Sequence, residues 1–233
     1  MEESSWGRLA SVLLSPVKTY ESINARPTWV VALIVLMVVS LVVTIVTIPK
    51  IDMAAAIQKQ MERQNQQVSA EQMERITQVA EKMKWISPIT GLVAQAAVYF
   101  LLALVFWVLF RLVGGEFSYM RSVAVTTHAF IPQVLSALLT LPIVFKATTL
   151  DPEKLRNGLL TSNLGFLAGD GASPFMRSVM SSLDIFSLWT VVLIVIGYSI
   201  VAKTRRSTAA TVTCGLWLLY IFGKAGLMAA FAG

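Results

Sequence analysis

A chain of 233 residues with 56% hydrophobic and 14% charged side chains falls well short of the roughly 25% charge usual for soluble domains, so much of it meets lipid. In such a chain a formal charge of +6 reports topology and contact with anionic headgroups, and no nucleic-acid partner is expected. One cysteine, Cys214, and one histidine, His128, rule out disulfide frameworks and multi-ligand zinc sites, and no cofactor is expected.

Residues 1–28 form an N-terminal cytoplasmic segment. Trp6, Leu9, Val12 and Leu13, with a break at Pro16, predict a short amphipathic helix lying in the inner interface, with Arg8 turned toward headgroups; a structureless tail is the alternative. The remainder, 29–233, reads as one membrane domain. Its first span, about 29–48, is twenty residues without a charge, and at about 1.5 Å per residue it matches a hydrocarbon core. No small-residue cleavage signature follows it, so it is expected to be retained as a signal anchor.

Residues 50–87 form an insert outside the bilayer. Met53, Ile57 and Met61, then Met73, Ile76, Ala80 and Met83, fall at helical spacing and predict a helical hairpin with a polar turn at 64–67. Ser69 with Gln72 has the form of a capping box, and Glu71 with Arg75 is an i,i+4 pair. The methionine stripe is either buried within the hairpin or against the membrane, or offered to a partner.

Further spans are expected at about 88–113, 122–146, 183–202 and 209–231. Between the third and fourth lies an outer loop, 147–182, with helix starts at Asp151-Pro152-Glu153 and at Ser173-Pro174. The joint of Lys203, Thr204, Arg205, Arg206, Ser207 and Thr208 is short enough to make the last two helices antiparallel neighbours. With five spans the termini lie on opposite sides. Inner segments then hold eight bases against four acids, outer segments ten bases against nine, and the purely basic joint places the N-terminus in the cytoplasm and the C-terminus outside.

Polar groups within spans are costly and mark candidate sites. Counted from the shared inner joint, Asp184 and Lys224 sit at similar heights; they either pair across helices or act separately, Asp184 as a helix cap and Lys224 snorkelling. His128, Pro132 and Gln133 mark a kinked third span whose histidine is expected to hydrogen-bond a neighbouring helix. Gln95 is expected to face the bundle interior. Gly91, Gly197, Gly223 and Gly226 permit close helix approach. No P-loop, H-E-x-x-H or G-x-S-x-G motif occurs, so no enzyme is expected.

The order of Leu14-Ser15-Pro16, Tyr20 and Ile23, Arg26-Pro27-Thr28-Trp29, Gly114-Gly115-Glu116-Phe117, the run from Ser122 through Phe130-Ile131-Pro132, the run from Ser162-Asn163 to Leu167, and Leu183 to Trp189 resembles a bacterial member of the Yip family, the Ypt- and Rab-interacting protein domain. The resemblance extends from about Leu13 to about Leu219. It implies an all-α fold of five packed membrane helices, a bacterial inner-membrane location and a non-enzymatic role. Eukaryotic relatives are associated with small prenylated GTPases, which the family engages through a long cytoplasmic extension. Here about 28 residues stand in its place, which argues against a GTPase partner.

The function expected is a membrane scaffold or adaptor that organises lipids, partner membrane proteins or copies of itself. Trp6, Arg8 and Leu9 with Met73, Ile76 and Met83 are its candidate interface. The alternative is a small transporter, channel or lipid-handling protein with a polar path between the second, third and fifth spans, through Gln95, His128, Pro132 and Lys224.

Overall fold

The computed structural model describes residues 4–63, 68–150, 155, 158–169 and 171–230. The turn expected at 64–67 and the helix start expected at Asp151 therefore lie outside the described residues. Among the described residues there are helices and two isolated β-bridges, and no strand. In chain order the helices are α1 (Gly7–Leu14), α2 (Pro16–Ala25), α3 (Val30–Thr47), α4 (Met53–Arg63), α5 (Ala70–Lys84), α6 (Ser87–Leu112), α7 (Tyr119–Ala129), α8 (Ile131–Lys146), α9 (Pro174–Ser182), α10 (Ile185–Val201) and α11 (Arg206–Ala230).

Four stretches are long and apolar enough to cross a membrane: Val30–Lys50, Ser87–Leu112, Tyr119–Lys146 and Arg206–Ala230. The fifth expected member, α10, has 17 residues and reaches roughly 25 Å, the lower limit for a span. Its position explains the shortness. Helix α10 packs on α2, α7, α8 and α11 and buries Leu193, Ile194, Tyr198 and Val201, leaving a stripe of Ile185, Leu188 and Val192 exposed. A helix held on most sides by other helices, with one stripe toward lipid, is less bound to match the bilayer thickness by its own length. The result is the expected all-α membrane bundle, with outward faces of Ile89, Val93, Leu101 and Leu219 exposed to the bilayer.

The third span is two helices. Between α7 and α8 the chain breaks at Phe130, and Pro132 falls in the first turn of α8, where a missing N–H costs nothing. The expected bond from His128 to a neighbouring helix does not form. Its Nδ1 lies 2.8 Å from the carbonyl oxygen of Ala124, one turn back in α7, so that nitrogen carries the proton; Nε2 is buried without a partner. His128 lies in the last turn of α7, and its ring reaches back along its own helix rather than across to a neighbour.

The N-terminal segment also differs from the expectation. It is two helices tucked against α7 and α10, and Tyr20 and Ile23 are fully buried there. Arg8 is turned away from headgroups and is buried, its guanidinium donating to the Arg26 carbonyl (2.9 Å), Thr28 Oγ1 (2.6 Å) and Ser22 Oγ (2.7 Å). Ser22, Arg26 and Thr28 all follow α1 in the chain, so one side chain ties α1 to α2 and to the entry of α3. Trp6 stays exposed, and Leu9 packs on the core.

Close helix approach occurs at Gly197 but not at the other glycines expected to allow it. A Cβ on Gly197 would lie 2.6 Å from Val125 Cγ1, whereas Gly91, Gly223 and Gly226 have nothing within 4 Å. Around Gly197 the core is aromatic. The Tyr198 ring stacks on Phe110 at 4.6 Å between centroids, with Phe106 at 4.9 Å.

The hairpin is present as α4 and α5. Ser69 and Gln72 form the reciprocal capping box, and Arg75 pairs with Glu71 at 2.7 Å. No described residue of α5 is buried: Met73 is half-exposed, and Ile76, Val79 and Met83 are exposed. At the same end of the bundle, Lys50 Nζ donates to the Ala147 carbonyl (2.6 Å), joining the end of α3 to the end of α8.

Candidate functional site

Besides the Arg8 cluster, which borders a cavity of about 390 Å³ beside Ser4, Ser5, Ser22 and Thr28, polar side chains of the described residues gather in two further places, one filled and one beside a cavity. The filled one lies toward the start of α7 and the end of α10. Ser122 Oγ donates to the Ala103 carbonyl at 2.6 Å, the Tyr198 hydroxyl lies 2.5 Å from Ser122 Oγ and 2.9 Å from Thr126 Oγ1, and all three side chains are buried. Every hydroxyl is used in holding α6, α7 and α10 together. Tyr198→Phe is expected to cost roughly 1–2 kcal/mol, since it removes the bond and strands one buried acceptor or donor; a shift in the detergent unfolding midpoint measures it.

The second gathering lies at the far end of α11, where α10 begins. Ser173 caps α9 by accepting from the Met176 amide at 3.2 Å, and Pro174 occupies its first turn, as expected from the sequence. Helix α9 ends at Ser182, and the chain crosses to α10 through Leu183 and Asp184. This crossing pairs with the preceding loop: the Leu164 amide donates to the Leu183 carbonyl (3.1 Å) and the Ile185 amide to the Ser162 carbonyl (3.2 Å). Asn163 Oδ1 accepts from the Gly165 amide at 2.8 Å and starts a short 3-10 turn, Leu164–Leu167. The loop is thereby folded back as a wall.

Behind that wall is a cavity of about 280 Å³, lined by Ser136 and Thr140 of α8, the 158–163 loop, the α9–α10 junction and α11. Asp184 caps α10: its Oδ2 accepts from the Ser187 amide and hydroxyl, each at 3.0 Å, while Oδ1 is buried with no partner. Lys224 turns across to Ser182, with its Nζ donating to Ser182 Oγ at 3.0 Å, and Ser182 in turn donates to the Ser178 carbonyl at 2.8 Å. Asp184 and Lys224 therefore share a cavity and are held by different serines. The arrangement offers an ammonium, a carboxylate with an unused oxygen and several hydroxyls; the chemistry it supports is binding of a polar or zwitterionic group.

The other expected site residues do not join them. Gln95 is half-buried and donates to the Tyr99 hydroxyl (3.3 Å) in its own helix; Gln133 donates to Thr190 Oγ1 (3.3 Å) across α8 and α10; His128 bonds within α7. Ser182, Ser187 and Thr140 were not singled out from the sequence. Their one signal was the density of serines from 178 to 187 just ahead of and after Asp184, and serines at a helix start are common.

The chain is similar to a known membrane protein over most of its length. The membrane protein YknW of Bacillus subtilis is 26% identical over 189 residues, which covers 81% of this chain and 76% of that protein. No solved structure matches significantly. The Yip1 domain matches residues 10–227, from the middle of α1 to the end of α11, so the chain belongs to the Yip1 domain family of membrane proteins.

Proposed function

We propose that this Yip1-domain protein is a non-enzymatic scaffold or adaptor of the bacterial inner membrane, with its N-terminus in the cytoplasm and its hairpin outside. The observation that carries the reading is the unburied apolar stripe of α5, Ile76, Val79 and Met83, continued by Trp85 and Ile86. Helix α5 packs mainly on α4 and the start of α6, so its fold does not use that stripe. Apolar side chains left out at consecutive helical turns mark a partner surface. Supporting the same reading, the polar residues that a transport path would need bond separately, and the packed layer of Val125, Leu193 and Ile194 lies between α7 and α10.

The double variant Ile76→Glu, Met83→Glu tests it. Its unfolding midpoint is expected to stay near the wild type, since exposed positions change stability by about 0.5 kcal/mol or less. Native mass spectrometry of gently extracted protein is expected to show a stoichiometric protein partner or defined oligomer with the wild type and its loss in the variant. A wild type that leaves the membrane as a bare monomer overturns the proposal.

A further inference from the structure

We propose that the cavity at the α9–α10 junction seats the headgroup of a phospholipid that carries a primary amine, with the phosphate on Lys224 and the ammonium on Asp184. This site is separate from the hairpin surface and stands or falls independently of the partner reading.

Three observations lead there. The first is unused bonding capacity. An ammonium has three donors, and Lys224 spends one, on Ser182 Oγ; Asp184 spends one oxygen on the α10 cap and leaves Oδ1 buried without a donor. A lysine near a helix end ordinarily snorkels outward. Here it is turned inward to the end of α9, beside a cavity with room for the volume of about nine waters, more than a phosphoethanolamine group fills.

The second is charge balance. Among the described residues that line the cavity there are one cation, Lys224, and one anion, Asp184. A headgroup with a phosphate alone would pair with Lys224 and leave Asp184 facing a like charge. One that also carries an amine pairs both. A choline headgroup brings the positive charge but no N–H, so Oδ1 would stay without a donor. The lining thus selects by both charge and hydrogen bonding.

The third is the mouth. Tyr220 lines the cavity and is exposed on the lipid-facing side of α11, next to exposed Leu219. On the other side, the wall that contributes Ser162 and Asn163 continues into Leu164, Phe166 and Leu167, all exposed. A polar pocket with an apolar rim at the end of membrane helices fits an amphiphile, with the head inside and the chains along the rim, and fits a free solute less well.

The test is native mass spectrometry of the intact protein in detergent, offered equal amounts of phosphatidylethanolamine, phosphatidylcholine and phosphatidylglycerol with the same acyl chains. The wild type is expected to retain the ethanolamine lipid about tenfold over each of the others, the size of one charge-assisted hydrogen bond. Lys224→Gln is expected to bring retention to the background level, with Lys224→Arg restoring it. Asp184→Asn keeps the helix cap, because asparagine caps well, and is expected to abolish the preference for the amine. Equal retention of the three lipids by the wild type overturns the proposal without recourse to any variant. So does a Lys224→Gln protein that is folded and binds unchanged. Displacement of the lipid by an equimolar amount of soluble phosphoethanolamine overturns the lipid as occupant and leaves a free zwitterion.

Discussion

Gly197→Val is expected to destabilise the bundle by roughly 3 kcal/mol or more, the upper range for overpacking a closed core. A Cβ at this position would meet Val125 Cγ1 at 2.6 Å and the Tyr20 ring at 2.9 Å, and real Cβ atoms do not approach so closely. Neither neighbour has room to give. Val125 and Tyr20 are both 0% exposed, and a β-branched side chain on a helix has one favoured rotamer. Gly197→Ala adds one methyl at the same place; the roughly 1 kcal/mol that alanine brings to a helix offsets part of the clash but not all of it. Gly223→Ala is the control. Nothing lies within 4 Å of its added methyl, so it is expected to be neutral or slightly stabilising. Unfolding midpoints of the three variants in one detergent decide the matter, and a Gly197→Val protein as stable as the wild type would remove the close α2–α10 contact from the account.

Arg8→Met is expected to cost roughly 2–4 kcal/mol, because hydrogen bonds to a charged group contribute about 1.5–3 kcal/mol each and do not add fully. The variant removes the donors that serve the Arg26 carbonyl, Thr28 Oγ1 and Ser22 Oγ. Lysine is not a substitute, since a single ammonium on a flexible stem does not reach acceptors spread around a planar fork. The expected signature is local. Amide exchange should rise across α1 and α2 while α6 and α8 keep their protection. Uniform loss of protection would mean that the segment holds the whole bundle together rather than capping it.

How much of this was readable beforehand varies with the kind of interaction. The long spans were, because an apolar run of membrane length has few other uses, and so was the α10–α11 pairing, because six residues leave no other path. The hairpin's capping box followed from two residues at a fixed spacing. Arg8 was not readable. An arginine beside Trp6 and Leu9 has the same local pattern whether it faces headgroups or turns inward, and its acceptors lie 14 to 20 residues away. The glycines show the same limit: Gly197, Gly223 and Gly226 all lie in apolar helices, and only the neighbours that the fold brings to each distinguish a close contact from an open face. At the cavity, counting turns from the inner joint places Asp184 and Lys224 at similar heights, within about one turn of each other. It did not identify the serines that hold them apart, since hydroxyl groups recur along the chain and carry no period of their own.

The packing of α2 on α10 also sets a schedule for making the protein. Tyr20 leaves the ribosome early, and the residues that enclose its ring, Gly197 and Tyr198, are made some 180 residues later, on the order of 10–40 s at about 5–20 residues per second. For that interval the side of α2 that packs on α10 has no partner, so Tyr20 stays uncovered, although Arg8 can already bond to Ser22, Arg26 and Thr28 and α7 is in place before α10 is made. The first part synthesised is thus among the last to be locked in place. A chain released before α10 is complete therefore leaves uncovered the Tyr20 face of α2, which the finished molecule buries fully.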